Sequence, residues 1–156
     1  MIRYLVDTNV LSNAAPGRAG HAPRLVTWMV DHSDRLYLSV VTIAEIEQGI
    51  AKARRQGATR QAARLSEWVE ASIVLYADRI LPINLDVARL AGRLSEDARG
   101  KGHAPGFADA AIAATARVHE LIVLTRNLRH FEPLDVEVWD PFEALSPDRC
   151  ELRSPG

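Results

Sequence analysis

The chain has 156 residues, 47% of them hydrophobic and 25% charged, with a single cysteine. That is one domain with a sizeable core, and it excludes a disordered, collagen-like or disulfide-built chain. A formal net charge of −1 and a pI near 6.5 exclude a broadly basic nucleic-acid-binding surface, for which a pI above roughly 9 is expected. No apolar run approaches the roughly 18 residues of a membrane span, and Asp7 stands where a signal peptide needs its apolar stretch. With the lone Cys150 unable to close a bridge, a cytoplasmic protein is expected.

The predicted elements alternate along the chain. Residues 2–6 form a short apolar run that reads as a buried strand, and residues 14–20, with Pro16 and Gly17, read as a surface loop. Leu25, Trp28 and Met29 mark a first helix before His32, and the β-rich run 36–41 follows as a strand. Ile43, Ile46, Ile50 and Ala53 space a second helix, which Gln56-Gly57 ends. Leu65, Trp68, Val69, Ile73 and Tyr76 space a third. Residues 81–85 are a weaker strand, ahead of a fourth helix on Val87, Leu90, Ala91 and Leu94 that stops at the Gly100-Lys101-Gly102 turn. An alanine-rich fifth helix spans 107–118, and strands at 121–124 and 136–139 complete the set. Strands apolar on both faces and separated by helices predict an α/β fold, a central and mainly parallel sheet flanked by helices. The domain is expected to cover 1–145, with a frayed tail at 146–156.

Three carboxylates fall at telling places in this frame. Asp7 directly follows the first strand, and in open α/β sheets ligands bind beyond the carboxyl ends of strands. The 121–124 strand runs out at Thr125, so Asn127 is expected to open onto the same crevice. Asp7-Thr8-Asn9 would equally serve as a helix-capping turn. Asp109 lies in a helix whose neighbouring residues are nearly all apolar, where a buried carboxylate is costly unless paired, hydrogen-bonded or metal-bound. A first-turn Asp also complements the helix dipole. Glu45 has two readings. In Thr42-Ile43-Ala44-Glu45 it completes a capping box. If Ser39 caps the helix instead, Glu45 is freed, and Gly49, four residues on along the same face, leaves room beside it. No lysine stands close in sequence to any of the three acids. Carboxylates gathered in one crevice need a cation, and hard oxygen ligands suit Mg²⁺ or Mn²⁺.

Four blocks carry a resemblance: Leu5-Val6-Asp7-Thr8-Asn9-Val10, the SVVTIAEIEQG run from Ser39 to Gly49, the DAAIAATA run from Asp109 to Ala116, and TRNLRHF from Thr125 to Phe131. In this order and spacing the chain resembles the PIN-domain ribonucleases, and within them the VapC-type toxins of bacterial toxin–antitoxin operons, near the FitB-like branch. The resemblance implies a three-layer PIN-like fold and a divalent-metal-dependent endoribonuclease whose acidic site is Asp7, Glu45 and Asp109. It selects Glu45 over Glu47 by the spacing to Gly49. The family's fourth acidic position falls at Asn127, an amide in place of the commoner Asp, which weakens the hold on a second metal. A metal-activated water would then leave a 5′-phosphate and a 3′-hydroxyl. Asn9 and Thr125 are candidates for orienting the carboxylates, and Arg126 and Arg129 for meeting substrate phosphate. The resemblance further implies a VapB-like antitoxin that blocks the site, and a homodimer.

Other features have plainer readings. Only Lys52 and Lys101 are lysine, so 17 of the 19 basic residues are arginine, a bias that reads as genomic base composition, although arginine also suits bidentate phosphate contacts. Arg54, Arg55, Arg60 and Arg64 around Gly57 either track an RNA backbone or form a solvated helix-hairpin face. The histidines show no zinc spacing, and His130 reads as a surface residue or a substrate contact. Trp28, Trp68 and Trp139 read as core or subunit-contact residues. Two rival functions stay open: a catalytically silent PIN-like module that binds a partner, and an Asp-nucleophile phosphatase. The second chemistry wants a carboxylate where the chain has Asn9.

Overall fold

The structure is a computed structural model that describes residues 1–17 and 22–145. The expected frayed tail, Cys150 and the end of the 14–20 loop lie outside the described residues.

Five short parallel strands form the centre: β1 (Tyr4–Val6), β2 (Leu36–Ser39), β3 (Ile80–Leu81), β4 (Ile122–Leu124) and β5 (Val138–Trp139), in the order β3-β2-β1-β4-β5. The chain builds outward from β1 through β2 and β3, then returns to the other side of β1 for β4 and β5. The boundary between β1 and β4 is therefore the switch point of the sheet, where a crevice opens beyond the strand ends. The Asp7 amide donates to the Leu124 carbonyl at 2.9 Å and holds the two ends in step.

Alternation along each strand feeds two cores. Leu5, Val123 and Val138 face α5 (Leu85–Gly100) and α6 (Phe107–Val118). Tyr4, Val6, Leu36, Leu38, Leu124 and Trp139 face α2 (Pro23–Asp31), α3 (Val40–Arg55) and α4 (Thr59–Tyr76). This is the expected three-layer arrangement with both faces covered. Every residue of α6 from Ala110 to Ala116 is buried, and the small side chains let this helix lie close to its neighbours.

Two strands stop before their apolar runs do, for one physical reason: at β2 and β3 a polar side chain at or beyond the strand end captures an amide and starts a helix. Ser39 Oγ accepts from the Val41 amide at 3.1 Å, so Val40 opens α3 and the 36–41 run is strand only to Ser39. Asn84 accepts from the Val87 amide at 3.0 Å, so Leu85 opens α5 and the 81–85 strand shrinks to Ile80–Leu81. The capping box at Thr42 does not form, because Ser39 is the cap. Two four-residue helices, α1 (Thr8–Leu11) and α7 (Leu128–Phe131), are too short for periodicity to reveal.

One junction is strained. Ala77 ends α4 with φ +42°, a conformation that favours glycine. Ala77→Gly is expected to raise stability by about 1 kcal/mol, or roughly 2–4 °C in a thermal melt. An unchanged or lower midpoint would count against strain at this residue.

Candidate active site

Asp7 caps α1 at the mouth of the crevice and is the buried carboxylate of the site, 6% exposed. Its Oδ1 accepts from the Thr8 amide at 2.8 Å. Its Oδ2 accepts from Thr125 Oγ1 at 2.9 Å and Asn9 Nδ2 at 3.0 Å. Thr125 follows β4 and is fully buried; its hydroxyl also accepts from Asn9 Nδ2 at 3.2 Å and the Asn127 amide at 3.0 Å. Asn9 Oδ1 accepts from the Arg126 amide at 3.2 Å. Asn9 and Thr125 thus tie the ends of β1 and β4 to one carboxylate.

The other two acids reach the same crevice from different layers. With Ser39 as cap, Glu45 stands in the second turn of α3, half-buried and free of any capping role. Asp109 stands in the first turn of α6, with its side chain 28% exposed. The dry stretch of α6 begins one residue later, so the costly buried acid is Asp7 and not Asp109. Burial is the main cause that pushes the Asp7 carboxyl above the ordinary range; the Thr125 and Thr8 hydrogen bonds pull it down, and Asp109 adds to the rise. Burial also raises Glu45, and Asp7 and then Asp109 reinforce the shift. The three acids therefore feel one another's charge. The Thr8 hydroxyl lies close enough to ease the shift on Glu45, yet it is buried and outside good hydrogen-bond geometry.

The remaining sequence-derived candidates divide. Asn127 reaches the crevice rim through its backbone amide, while its side chain is exposed. Arg126 and Arg129 are exposed beside it. Glu47 points to solvent. Gly49 has open space where a side chain would stand, so nothing in the described chain needs it to be glycine. The arginines at 54, 55, 60 and 64 line the exposed α3–α4 hairpin, with Arg54 nine residues, about 14 Å, along α3 from Glu45. His130 belongs to the site: its Nδ1 is 3.3 Å from Asp109 Oδ2. The sequence leaves it as a surface residue or a substrate contact, because α7 is too short for its spacing to decide between them.

The PIN domain profile matches residues 4–136. Toxin FitB of Neisseria gonorrhoeae is 37% identical over 140 residues, covering 88% of this chain and 97% of that protein. The chain belongs to the PIN domain family. A second relative of this PIN domain, VapC ribonuclease Y4jK of Sinorhizobium fredii, is 33% identical over 144 residues, covering 89% and 97% of the two chains. Among solved structures, the crystal structure of FitAcB from Neisseria gonorrhoeae superposes with a TM-score of 0.77 at 36% identity, over 91% of this chain and 99% of that one.

The donor set of this PIN domain can be tested against a divalent ion. Among the described residues, no three acidic, histidine or cysteine side chains converge tightly enough to enclose an ion unaided. A closed zinc site is thereby a poor fit. Mg²⁺ keeps several waters and takes one or two carboxylates, so spaced acids suit it. The orphaned Thr8 hydroxyl offers such a water a partner. The raised carboxyls of Asp7 and Glu45 contribute stability that is fully present below the ordinary carboxylate range and is lost as pH rises through their raised values. Near neutral pH the gathered charge is thus a net cost that a bound cation would relieve. Adding Mg²⁺ at about ten times its dissociation constant is expected to stabilise the EDTA-treated protein by about 1.4 kcal/mol, or roughly 2–4 °C in midpoint. The shift should vanish in Asp7→Asn, and a wild-type midpoint indifferent to Mg²⁺ would contradict a cation at these acids.

Proposed function

We propose that this PIN domain is a divalent-metal-dependent endoribonuclease, the toxin of a type II toxin–antitoxin pair. The observation that carries the reading is one buried, fully hydrogen-bonded carboxylate with two further acids in electrostatic reach, at the switch point of a parallel sheet. Relatives named as a VapC ribonuclease and as Ribonuclease VapC10 of Mycobacterium tuberculosis support RNA as the substrate. Asp7 and Asp109 would hold the ion, with Glu45 completing its shell or orienting the attacking water. When bound, Mg²⁺ or Mn²⁺ supplies a water of lowered pKa and offsets charge developing on the phosphate oxygens.

The chain's own residues do the rest. Thr125, Asn9 and the Thr8 amide fix both oxygens of Asp7, so its lone pairs are aimed before substrate arrives. Glu45, with its raised carboxyl, is suited to accept a proton from water. Asn127 brings no charge, so one ion is expected to dominate. The structural relatives include a complex described as FitAB bound to a DNA fragment and one described as DNA-bound VapBC of Salmonella typhimurium, which support a VapB-like antitoxin as partner. A homodimer is part of the same reading.

Purified protein incubated with structured RNA and Mg²⁺ is expected to yield discrete internal cleavage products. The products should disappear with EDTA and with Asp109→Asn. Cleavage that persists in both would overturn the reading in favour of a contaminant or another site. A folded, RNA-inert wild type that still binds its partner would favour the silent module.

A further inference from the structure

Beyond the acids, the crevice rim carries a device that no carboxylate motif includes. The Arg126 guanidinium lies 4.2 Å from the centre of the Phe142 ring, a stacked cation–π distance. Both members are held independently. The Arg126 amide donates to Asn9 Oδ1, the side chain that also bonds Asp7 and Thr125, so the arginine backbone is fixed to the catalytic network. Phe142 is presented by a turn just after β5. Its amide donates to Asp140 Oδ1 at 2.9 Å, and the Trp139 indole closes the turn onto the Ala144 carbonyl at 2.8 Å.

The charge at the end of this device is unspent. Arg126 is exposed, and the ion pairs found among the described residues join Arg117 to Asp135 and His130 to Asp109, not Arg126 to any acid. An exposed arginine normally samples many rotamers. Here the guanidinium rests on an aromatic ring, which narrows that freedom while leaving its N–H donors without an acidic partner among the described residues. A planar fork matches the two free oxygens of a phosphodiester. The Arg126 backbone is tied through Asn9 to Asp7, so an exposed positive charge is carried on the segment that follows β4, at the edge of the acidic crevice.

We infer that Arg126 is the phosphate clamp of this site and that Phe142 is a positioning residue acting through it, the ligand being a phosphodiester of single-stranded RNA next to the cleaved bond. This rests on the ribonuclease reading and adds to it the residue that docks the substrate and the residue that aims it. Stacking on Phe142 lowers the entropy lost when the guanidinium engages, so removing the ring should weaken docking with the charge still in place.

The test separates docking from chemistry. Arg126→Ala, Arg126→Lys and Phe142→Leu are compared with wild type in cleavage of one oligoribonucleotide, each variant first shown to melt like wild type. Arg126→Ala is expected to raise KM about tenfold or more with kcat changed far less. Phe142→Leu should raise KM several-fold in the same direction. Arg126→Lys should recover part of the loss in the wild-type ring context and none of the stacking. Binding is then measured in EDTA on an Asp109→Asn background, where no cleavage complicates it. The slope of log affinity against log salt should fall by about 0.7, one phosphate's worth for a single strand, on adding Arg126→Ala. An unchanged KM and salt slope in Arg126→Ala, with the wild type still cleaving, would overturn the clamp and leave the nuclease reading intact. A loss confined to kcat, or KM unmoved by Phe142→Leu, would overturn the positioning role. A wild type that neither cleaves nor binds the oligonucleotide would instead remove the ribonuclease reading on which the clamp depends.

Discussion

Replacing Asp7 by Asn is expected to lower RNA hydrolysis by at least about a thousandfold while leaving the chain folded. All the groups around this side chain are arranged as donors: the Thr8 amide, the Asn9 amide nitrogen and the Thr125 hydroxyl. An asparagine offers one acceptor oxygen, and its own NH₂ meets Asn9 Nδ2, donor against donor. The negative charge that attracts a cation is lost as well. On stability two effects oppose each other. Removing a charge whose burial is unfavourable helps, while stranding a donor costs about 1–3 kcal/mol. The net change should stay near 1–2 kcal/mol, within what a domain of this size tolerates. Circular dichroism and a thermal melt check the fold, and single-turnover cleavage checks the rate. A rate within tenfold of wild type would remove Asp7 from the chemistry.

Thr125→Val should cost less activity than Asp7→Asn but more stability. Valine has the same shape, yet it deletes the donor to Asp7 and the acceptor used by Asn9 Nδ2 and the Asn127 amide. Thr125 is fully buried, so the loss is felt without rescue by bulk water. A destabilisation of about 2–3 kcal/mol is expected from the unpaired groups, read as a lower denaturant midpoint. Activity should fall about 10–100-fold, the usual cost of losing a group that orients a ligand carboxylate. Thr125→Ser keeps the hydroxyl and should recover most of both. Equal damage from serine and valine would mean that packing of the methyl, and not the hydrogen-bond hub, matters here.

Much of the architecture is legible in the sequence because the strands are apolar on both faces and the helices carry clear spacing. The α6 limits, Phe107–Val118, coincide with the alanine-rich run. Strand ends are not legible in the same way. Whether Val40 extends β2 or opens α3 turns on one Ser39 hydrogen bond, which the apolar pattern does not encode. The site follows the same division. Asp7 is marked by its place after β1, and Ser39 as cap releases Glu45 from the capping box. The contacts that make Asp7 special come from Thr125, 118 residues away, and no local spacing announces them. Phe142 escapes notice and His130 stays undecided for a related reason: each gains its role from a short turn whose direction is set by the fold.

The most direct measurement is the chemistry of the ends left on a defined oligoribonucleotide after cleavage with Mg²⁺. Attack by an activated water held at Asp7, Glu45 and Asp109 leaves a 5′-phosphate and a 3′-hydroxyl, and those ends are expected. A 2′,3′-cyclic phosphate with a 5′-hydroxyl would mean that the ribose itself is the nucleophile, and it would contradict the assignment of these acids to water activation.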